Sequence, residues 1–118
     1  MSKTTENLKA AFAGESQANR KYTGFARKAE SENLPGVAKL FRAAAESETV
    51  HALNHLRNLG EIKSTQENLK AAITGEKYET EEMYPEFVRT AEEENEAAAK
   101  IGFEQAGKVE KFHEGMYT

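Results

Sequence analysis

The sequence predicts an all-α protein, a bundle of four helices built from two similar helical hairpins. Apolar residues such as Leu8, Phe12 and Tyr22 recur at the three- to four-residue spacing of an amphipathic helix, and the pattern runs along nearly the whole chain. A near-repeat is the second observation: ENLKAAFAGE at residues 6–15 returns as ENLKAAITGE at residues 67–76. The same helical hairpin is therefore expected twice.

Turn signals divide the apolar pattern into the four helices. Asn33-Leu34-Pro35-Gly36 separates the first helix from the second, and the stretch from Gly60 to Thr65 separates the second from the third. Glu94-Asn95 closes the third helix, with Asn95 in the left-handed conformation that often ends a helix. Thr65, followed by Gln-Glu-Asn, is predicted to be the N-cap of the third helix.

The repeat continues beyond the decapeptide, and its offset changes along the way. Glu15 matches Glu76 at an offset of 61, whereas Tyr22 matches Tyr84 at an offset of 62, so the third helix carries one residue more than the first. A π-bulge absorbs such an insertion most simply, and Pro85 just beyond it also requires irregular winding. We expect a single domain, residues 1–118, made of hairpin repeats at about 4–59 and 65–118.

Composition excludes several classes of function. The chain has no cysteine, which excludes disulfides, zinc ribbons and iron–sulfur ligation within these residues. A net charge of -4 and the lack of a basic cluster argue against a nucleic-acid partner. No apolar run approaches the roughly 18 residues of a membrane span, and the N-terminus has no signal-peptide core. We therefore expect a cytoplasmic protein that binds neither nucleic acid nor membrane.

Acidic residues and histidines interrupt the apolar stripes in a regular way. Glu-x-x-His occurs once in the second helix and once in the fourth, which places both side chains of each pair on one helical face. One inward glutamate lies in the first helix and two lie in the third. The candidate metal ligands are Glu15, Glu48, His51, Glu76, Glu79, Glu110 and His113.

Each of these residues alone has an ordinary explanation, such as a surface ion pair. Together they do not, because each buried carboxylate costs several kcal/mol and five would use up the whole stability of a domain, about 5–15 kcal/mol. Two divalent cations would neutralise most of that charge, and oxygen ligands with one imidazole per metal suit iron or manganese. One Glu from each of two helices and Glu-x-x-His from each of the other two is the ligand pattern of di-iron carboxylate bundles.

Four ordered segments resemble the rubrerythrin family: AFAGESQANRKYTGFA, ESETVHALNHL, ITGEKYETEEMYPEF and VEKFHEGMY. The resemblance covers essentially the whole chain. It implies a ferritin-like four-helix bundle with two iron ions per site, in which manganese or a mixed pair is an alternative, and an activity that reduces hydrogen peroxide to water. Many members carry a rubredoxin domain with four cysteine ligands; this chain has none, so an external electron donor, such as a rubredoxin or a reductase, is expected.

The resemblance also implies a role for each candidate residue. Glu48 and Glu110 would bridge the two metals. Glu15 would be terminal on the first iron, and Glu76 and His113 would be terminal on the second. Glu79 and His51 would alternate on the first iron, the carboxylate when it is oxidised and the imidazole when it is reduced. Tyr22 and Tyr84 resemble the tyrosines that hydrogen-bond ligand carboxylates in the family, and we count Glu79, His51, Tyr22 and Tyr84 as catalytic candidates.

Three functions remain open on the residues themselves. A di-iron peroxidase is favoured because Glu79 has only Ala18 as its counterpart in the repeat, so that the fifth carboxylate exists on one side. A ferroxidase, oxidase or iron-binding protein of the ferritin-like class would use most of the same ligands. A metal-free structural bundle is disfavoured by the buried carboxylates. The reactions of a ferrous protein with peroxide and with dioxygen would separate the first two.

The connection between the two hairpins predicts a homodimer. In a ferritin-like bundle the second and third helices run parallel, so the linker must travel back along the bundle. The helical rise of 1.5 Å per residue implies that the linker must span about 27 Å along the bundle axis. The seven peptide units from Leu59 to Gln66 reach at most about 25 Å when fully extended. We therefore expect hairpins to be exchanged between two chains, with two di-metal sites per dimer.

Overall fold

The computed structural model describes residues 2–118, and within that range all regular structure is helical. The elements are, in order, α1 Lys3–Ser31, α2 Pro35–Asn58, α3 Thr65–Tyr78, a π-helical segment Glu79–Met83, α4 Tyr84–Glu93 and α5 Ala97–Tyr117. The segments α3, π-helix and α4 follow one another without a gap and together form one long helix with a π-helical turn inside it. Counted in this way, the described part of the chain has four helices, and the prediction of four helices is confirmed. None of the helices in the described range is long and apolar enough to cross a membrane.

The chain divides into two compact units, Met1–Ile62 and Lys63–Thr118. We call α1 with α2 hairpin 1, and the long helix from α3 to α4 with α5 hairpin 2. The assignment of both units to one domain of residues 1–118 stays a prediction.

Hairpin 1 turns through Asn33, which adopts the left-handed conformation with φ 61°. Pro35 then opens α2, where its fixed φ suits the first turn of a helix and its missing N–H is not needed. Alanines line the contact between the two helices, and the buried ones are Ala26, Ala29, Ala38, Ala45 and Ala52. Because these side chains are so small, the two backbones can approach closely.

Hairpin 2 begins with a capping box at Ser64. The Ser64 hydroxyl accepts a hydrogen bond from the Glu67 N–H at 3.1 Å, and the Glu67 carboxylate accepts one from the Ser64 N–H at 3.4 Å. The N-cap is therefore Ser64, and the prediction of Thr65 was wrong by one residue. At the other turn Asn95 has φ 58°, so the left-handed asparagine expected there is confirmed.

Both hairpins pack an equivalent aromatic triplet beside their turns. Ring centroids of Phe25 and Phe41 lie 5.4 Å apart in hairpin 1, and those of Phe87 and Phe103 lie 5.3 Å apart in hairpin 2. A tyrosine completes each triplet: Tyr22 is 6.1 Å from Phe41, and Tyr84 is 6.2 Å from Phe103. The duplication seen in the sequence is thus also a duplication of packing.

The π-helical segment Glu79–Met83 lies where the offset of the repeat changes, so the irregular winding predicted there is confirmed. The wider π-helical turn accommodates the extra residue of the repeat, and Pro85 lies in the first turn of α4, where proline is tolerated. The segment includes Glu79 and Thr80.

A side-chain clamp joins the two helices of hairpin 1. The Asn19 amide nitrogen donates to the Ala45 carbonyl and to the Thr49 hydroxyl, both at 2.7 Å and both partly buried. The Asn19 side-chain oxygen accepts from the Arg20 guanidinium at 2.8 Å. All the polar atoms of the Asn19 side chain are therefore engaged.

Replacing Asn19 with alanine should destabilise the protein, since two partly buried hydrogen bonds between α1 and α2 are lost. We expect the free energy of unfolding to fall by about 1–3 kcal/mol, as measured by urea denaturation. Gln17→Ala, an exposed change in the same helix, is the control and should change the free energy little. Equal effects of the two substitutions would contradict the role of the clamp.

Candidate metal centre

Hairpin 1 brings three of the predicted ligands together. Glu15 extends from the middle of α1 towards α2, where Glu48 and His51 lie one turn apart. The His51 Nδ1 is 3.0 Å from the Glu15 Oε2 and 3.9 Å from the Glu48 Oε2. The two carboxylates are about a quarter exposed and His51 is half exposed, so this cluster is open on one side.

Hairpin 2 brings the equivalent residues together. Glu76 lies near the end of α3, and Glu110 and His113 lie one turn apart on α5. The His113 Nδ1 is 3.5 Å from the Glu76 Oε1 and 3.8 Å from the Glu110 Oε1. Glu76 is the least exposed of these ligands, with 15% of its side chain accessible.

Both clusters fit a metal ion. In each, one atom from every side chain lies within 4.8 Å of the others. For metal–ligand bonds of about 2.1 Å, two ligands on one ion would lie roughly 3.0–3.4 Å apart, close to the shortest nitrogen–oxygen distance in each cluster. The Glu15 Oε2 and the Glu76 Oε2 are buried without a hydrogen-bond partner. The Glu15 Oε2 is 3.0 Å from the His51 Nδ1 and still accepts no hydrogen bond from the described residues, which suits a nitrogen and an oxygen lone pair directed at a common ion.

Glu79 lies next to the hairpin 2 cluster but is not one of its three members, Glu76, Glu110 and His113. The pKa of Glu79 is raised to about 7. The largest cause is hydrogen bonding with Glu110, followed by partial burial and by repulsion from Glu110 and Glu76. Glu79 is the first residue of the π-helical segment, so this third carboxylate lies where the regular winding of α3 ends. Hairpin 1 has Ala18 at the matching position and no such group.

The carboxylates of hairpin 2 share protons. Hydrogen bonding to Glu110, followed by burial and repulsion, raises the pKa of Glu76. The same contacts lower the pKa of Glu110, because its carboxylate accepts hydrogen bonds from Glu76 and Glu79. The three carboxyl groups therefore titrate as one coupled set. In hairpin 1, burial and the contact with Glu15 raise the pKa of Glu48.

The two predicted tyrosines lie at matching places. Burial and the nearby carboxylates of Glu79, Glu110 and Glu76 raise the pKa of Tyr84, which puts its hydroxyl in the field of the cluster. Tyr22 packs against Phe25 and Phe41, and its hydroxyl forms no hydrogen bond within the described residues. The predicted contact between tyrosine and a ligand carboxylate therefore stays a prediction for both.

Two polar residues beside the clusters were not singled out from the sequence. Asn19 follows Glu15 by four positions and Thr80 follows Glu76 by four, so both lie one turn beyond a ligand. Aligning the repeat at the offset of 61 would have paired them. Their type alone gave no signal, because asparagine and threonine are common on helix surfaces.

The helices and the clusters define a class: an all-α protein with two Glu/His clusters that could each hold a metal ion, each supplied by one helical hairpin. A family model for rubrerythrin matches residues 6–118. The chain belongs to the rubrerythrin family, whose fold is ferritin-like and whose metal centre is a di-iron site.

Two relatives agree with this membership by sequence. A rubrerythrin of Porphyromonas gingivalis is 42% identical over 129 residues, which cover 98% of this chain and 64% of the relative. Nigerythrin of Nitratidesulfovibrio vulgaris is 37% identical over 128 residues, which cover 97% of this chain and 63% of the relative. A solved structure of nigerythrin in a mixed-valence state is 36% identical, covers 99% of this chain and 64% of its own, and has a TM-score of 0.49. The chain spans slightly less than two thirds of the length of these three proteins.

The metal-free protein should lose stability as the pH rises. The folded-state pKa of Glu79, about 7, exceeds its ordinary value of 4.5. The folded chain therefore keeps a proton that the unfolded chain releases; this stabilisation is complete below about pH 4.5 and disappears as the pH passes about 7. We expect the thermal midpoint of chelator-treated protein to fall between about pH 5 and about pH 8, and to lie below that of the metal-bound protein there.

Glu79→Gln should flatten this pH dependence, because its amide does not titrate. Glu82→Gln, an exposed change in the same π-helical segment, is the control and should leave the slope as in the wild type. A slope that is the same in all three proteins would show that Glu79 does not carry the effect.

Proposed function

We propose that this protein is a non-haem di-iron peroxidase that reduces hydrogen peroxide to water with electrons from an external donor. The observation that carries the proposal is Glu79, a carboxylate present in hairpin 2 only and in contact with the Glu110 side of the metal cluster. Membership of the rubrerythrin family supports the same activity. Protection against oxidative stress would be its role in the cell.

The family resemblance suggests how the ligands would divide between the two ions. Glu48 and Glu110 would bridge them, and Glu15 would bind the first ion, with His51 or Glu79 as its exchanging ligand. Glu76 and His113 would bind the second. When bound, two ferrous ions would supply two electrons and a Lewis-acid surface for the oxygens of peroxide.

The protein groups would hold the protons that the reaction consumes. Reduction of hydrogen peroxide to two water molecules takes up two electrons and two protons. In the metal-free chain Glu79 is half protonated near neutral pH, and it shares hydrogen bonds with Glu110. A carboxyl group with such a pKa can both give and take a proton near pH 7. The Tyr84 hydroxyl stays protonated, since its pKa is raised, and can donate a hydrogen bond to a carboxylate.

The electrons must come from outside these 118 residues, which contain no cysteine that could ligate a redox metal. A rubredoxin or a reductase is the proposed donor. A cytoplasmic location, which such a donor would suit, stays a prediction.

A ferroxidase or oxidase of the ferritin-like class is the alternative. The six residues Glu15, Glu48, His51, Glu76, Glu110 and His113 form the two clusters without Glu79, and that set could bind and oxidise iron by itself. The two functions differ in the oxidant that reacts quickly.

Stopped-flow oxidation of the anaerobically prepared ferrous protein would test the proposal. We expect fast two-electron oxidation by hydrogen peroxide and slow reaction with dioxygen. Glu79→Ala should change the oxidised absorption spectrum and slow turnover with peroxide, whereas Glu82→Ala should behave like the wild type. Faster reaction with dioxygen than with peroxide would favour the ferroxidase instead, and an unchanged Glu79→Ala protein would refute ligand exchange.

We also propose that two chains form a homodimer in which each hairpin pairs with the complementary hairpin of the other chain. Each hairpin alone supplies only three ligands to its cluster, and its buried apolar side chains are all alanines. Large apolar side chains stay exposed on single hairpins, among them Leu40 (68%) and Val37 (42%), which lie on the same face of α2 as Glu48. Only residues 59–64 connect α2 to α3, a short link for a return along the bundle.

Light scattering would test this assembly. We expect a mass twice the 13.1 kDa of the chain for the metal-bound protein. A long flexible insertion between Ile62 and Lys63 should shift the population towards monomers, because the hairpins of one chain could then pair with each other. A wild-type monomer with two bound metal ions would contradict the proposal.

A further inference from the structure

Thr80 occupies a position of the repeat at which the two hairpins have different residues. It follows the ligand Glu76 by four residues, as Asn19 follows Glu15 in hairpin 1. Asn19 clamps α1 to α2 with its amide. Thr80 is too short for such a clamp, and Thr49, the partner of Asn19, is replaced by Lys111 at the offset of 62. Hairpin 2 therefore has a buried hydroxyl where hairpin 1 has an interhelical tie.

The Thr80 hydroxyl has no partner. Two other helical threonines donate to the carbonyl four residues back: Thr23 to Asn19 at 2.9 Å and Thr49 to Ala45 at 3.2 Å. Thr80 lies in the π-helical segment, where the winding moves that carbonyl out of position. Its Oγ1 is buried and forms no hydrogen bond, an arrangement that is unfavourable unless a partner becomes available.

A matching acceptor lies one turn away. The Glu76 Oε2 is also buried and without a partner, while the other oxygen of the same carboxylate, Oε1, is 3.5 Å from the His113 Nδ1. The three buried side-chain atoms without partners in the described range are this oxygen, its counterpart in Glu15 and the Thr80 Oγ1. Two of them are acceptors that belong to candidate ligands, and the third is a donor beside one of them.

We propose that Thr80 is a positioning residue: its hydroxyl donates a hydrogen bond to the Glu76 Oε2 when the centre holds metal, and so fixes which carboxylate oxygen faces the ion. This inference rests on the proposed metal site. With Oε2 engaged by Thr80, Oε1 is left on the His113 side as the single coordinating oxygen. A ligand whose free oxygen is hydrogen-bonded keeps its orientation and binds the metal more tightly.

Hairpin 1 cannot provide the same contact. The Asn19 amide is committed to Ala45 and Thr49, and its oxygen is committed to Arg20. Glu15 therefore has no donor at the equivalent position. The two metal positions should differ for this reason, the one beside Glu76 being held more firmly.

Cobalt(II) binding to the metal-free protein, followed by competition with a chelator, would test the role of Thr80. Thr80→Val keeps the shape of the side chain and removes the hydroxyl, and we expect it to weaken one of the two cobalt equivalents by about tenfold. Thr80→Ser keeps the hydroxyl and should stay within about twofold of the wild type. Thr74→Val, an exposed change in α3, should have no effect.

The thermal midpoint of each metal-free variant separates positioning from packing. Removing an unpaired buried hydroxyl should leave the metal-free Thr80→Val protein as stable as the wild type or more stable, although its cobalt affinity falls. A parallel loss of stability and affinity, or unchanged affinity, would overturn the inference. Failure of the wild type to bind two cobalt ions per chain would instead refute the metal site on which it rests.

Discussion

Mutual repulsion among carboxylates is the constraint on which the rest of this molecule depends. Glu76, Glu79 and Glu110 are brought into contact on one hairpin, and without a cation they avoid the cost by sharing protons: the pKa values of Glu76 and Glu79 are raised and that of Glu110 is lowered. Glu15 and Glu48 face the same problem on the other hairpin. A pair of divalent ions would remove this repulsion and would satisfy the buried oxygens of Glu15 and Glu76 that have no hydrogen-bond partner among the described residues.

The helical scaffold is arranged around that requirement. Alanines at the contact between α1 and α2 bring the helices near enough for a glutamate on one to meet a Glu-x-x-His pair on the other. The aromatic triplets pack each hairpin beside its turn. The π-helical segment adds an asymmetry between the hairpins: it contains Glu79, which interacts with Glu110, and Thr80, whose buried hydroxyl has no hydrogen-bond partner within the described range. Packing, winding and site chemistry are therefore connected through one short stretch of chain.

Much of this organisation could be read from the sequence, because its determinants are local. Helical periodicity predicted the helices, and the asparagines Asn33 and Asn95 marked the turn of each hairpin. The change of repeat offset predicted the irregular winding at Glu79–Met83. The spacing of Glu48 and His51 predicted that they share a helical face. Ser64 was missed in favour of Thr65 because two adjacent hydroxyl residues can both cap a helix, and only the backbone angles decide between them. Thr80 was missed because its lack of a partner follows from the π-helical winding, which three-dimensional structure alone reveals. The roles of the seven ligands stay predictions.

The central proposal is that the two Glu/His clusters together supply one paired di-metal centre. X-ray absorption at the iron edge, combined with metal analysis of the iron-bound protein, tests it most directly. Two iron ions per chain and a metal–metal scattering distance of about 3.5–4 Å are the predicted result, with Glu110→Ala losing the metal–metal contribution. Isolated iron ions without a metal neighbour, or fewer than two per chain, would contradict the account.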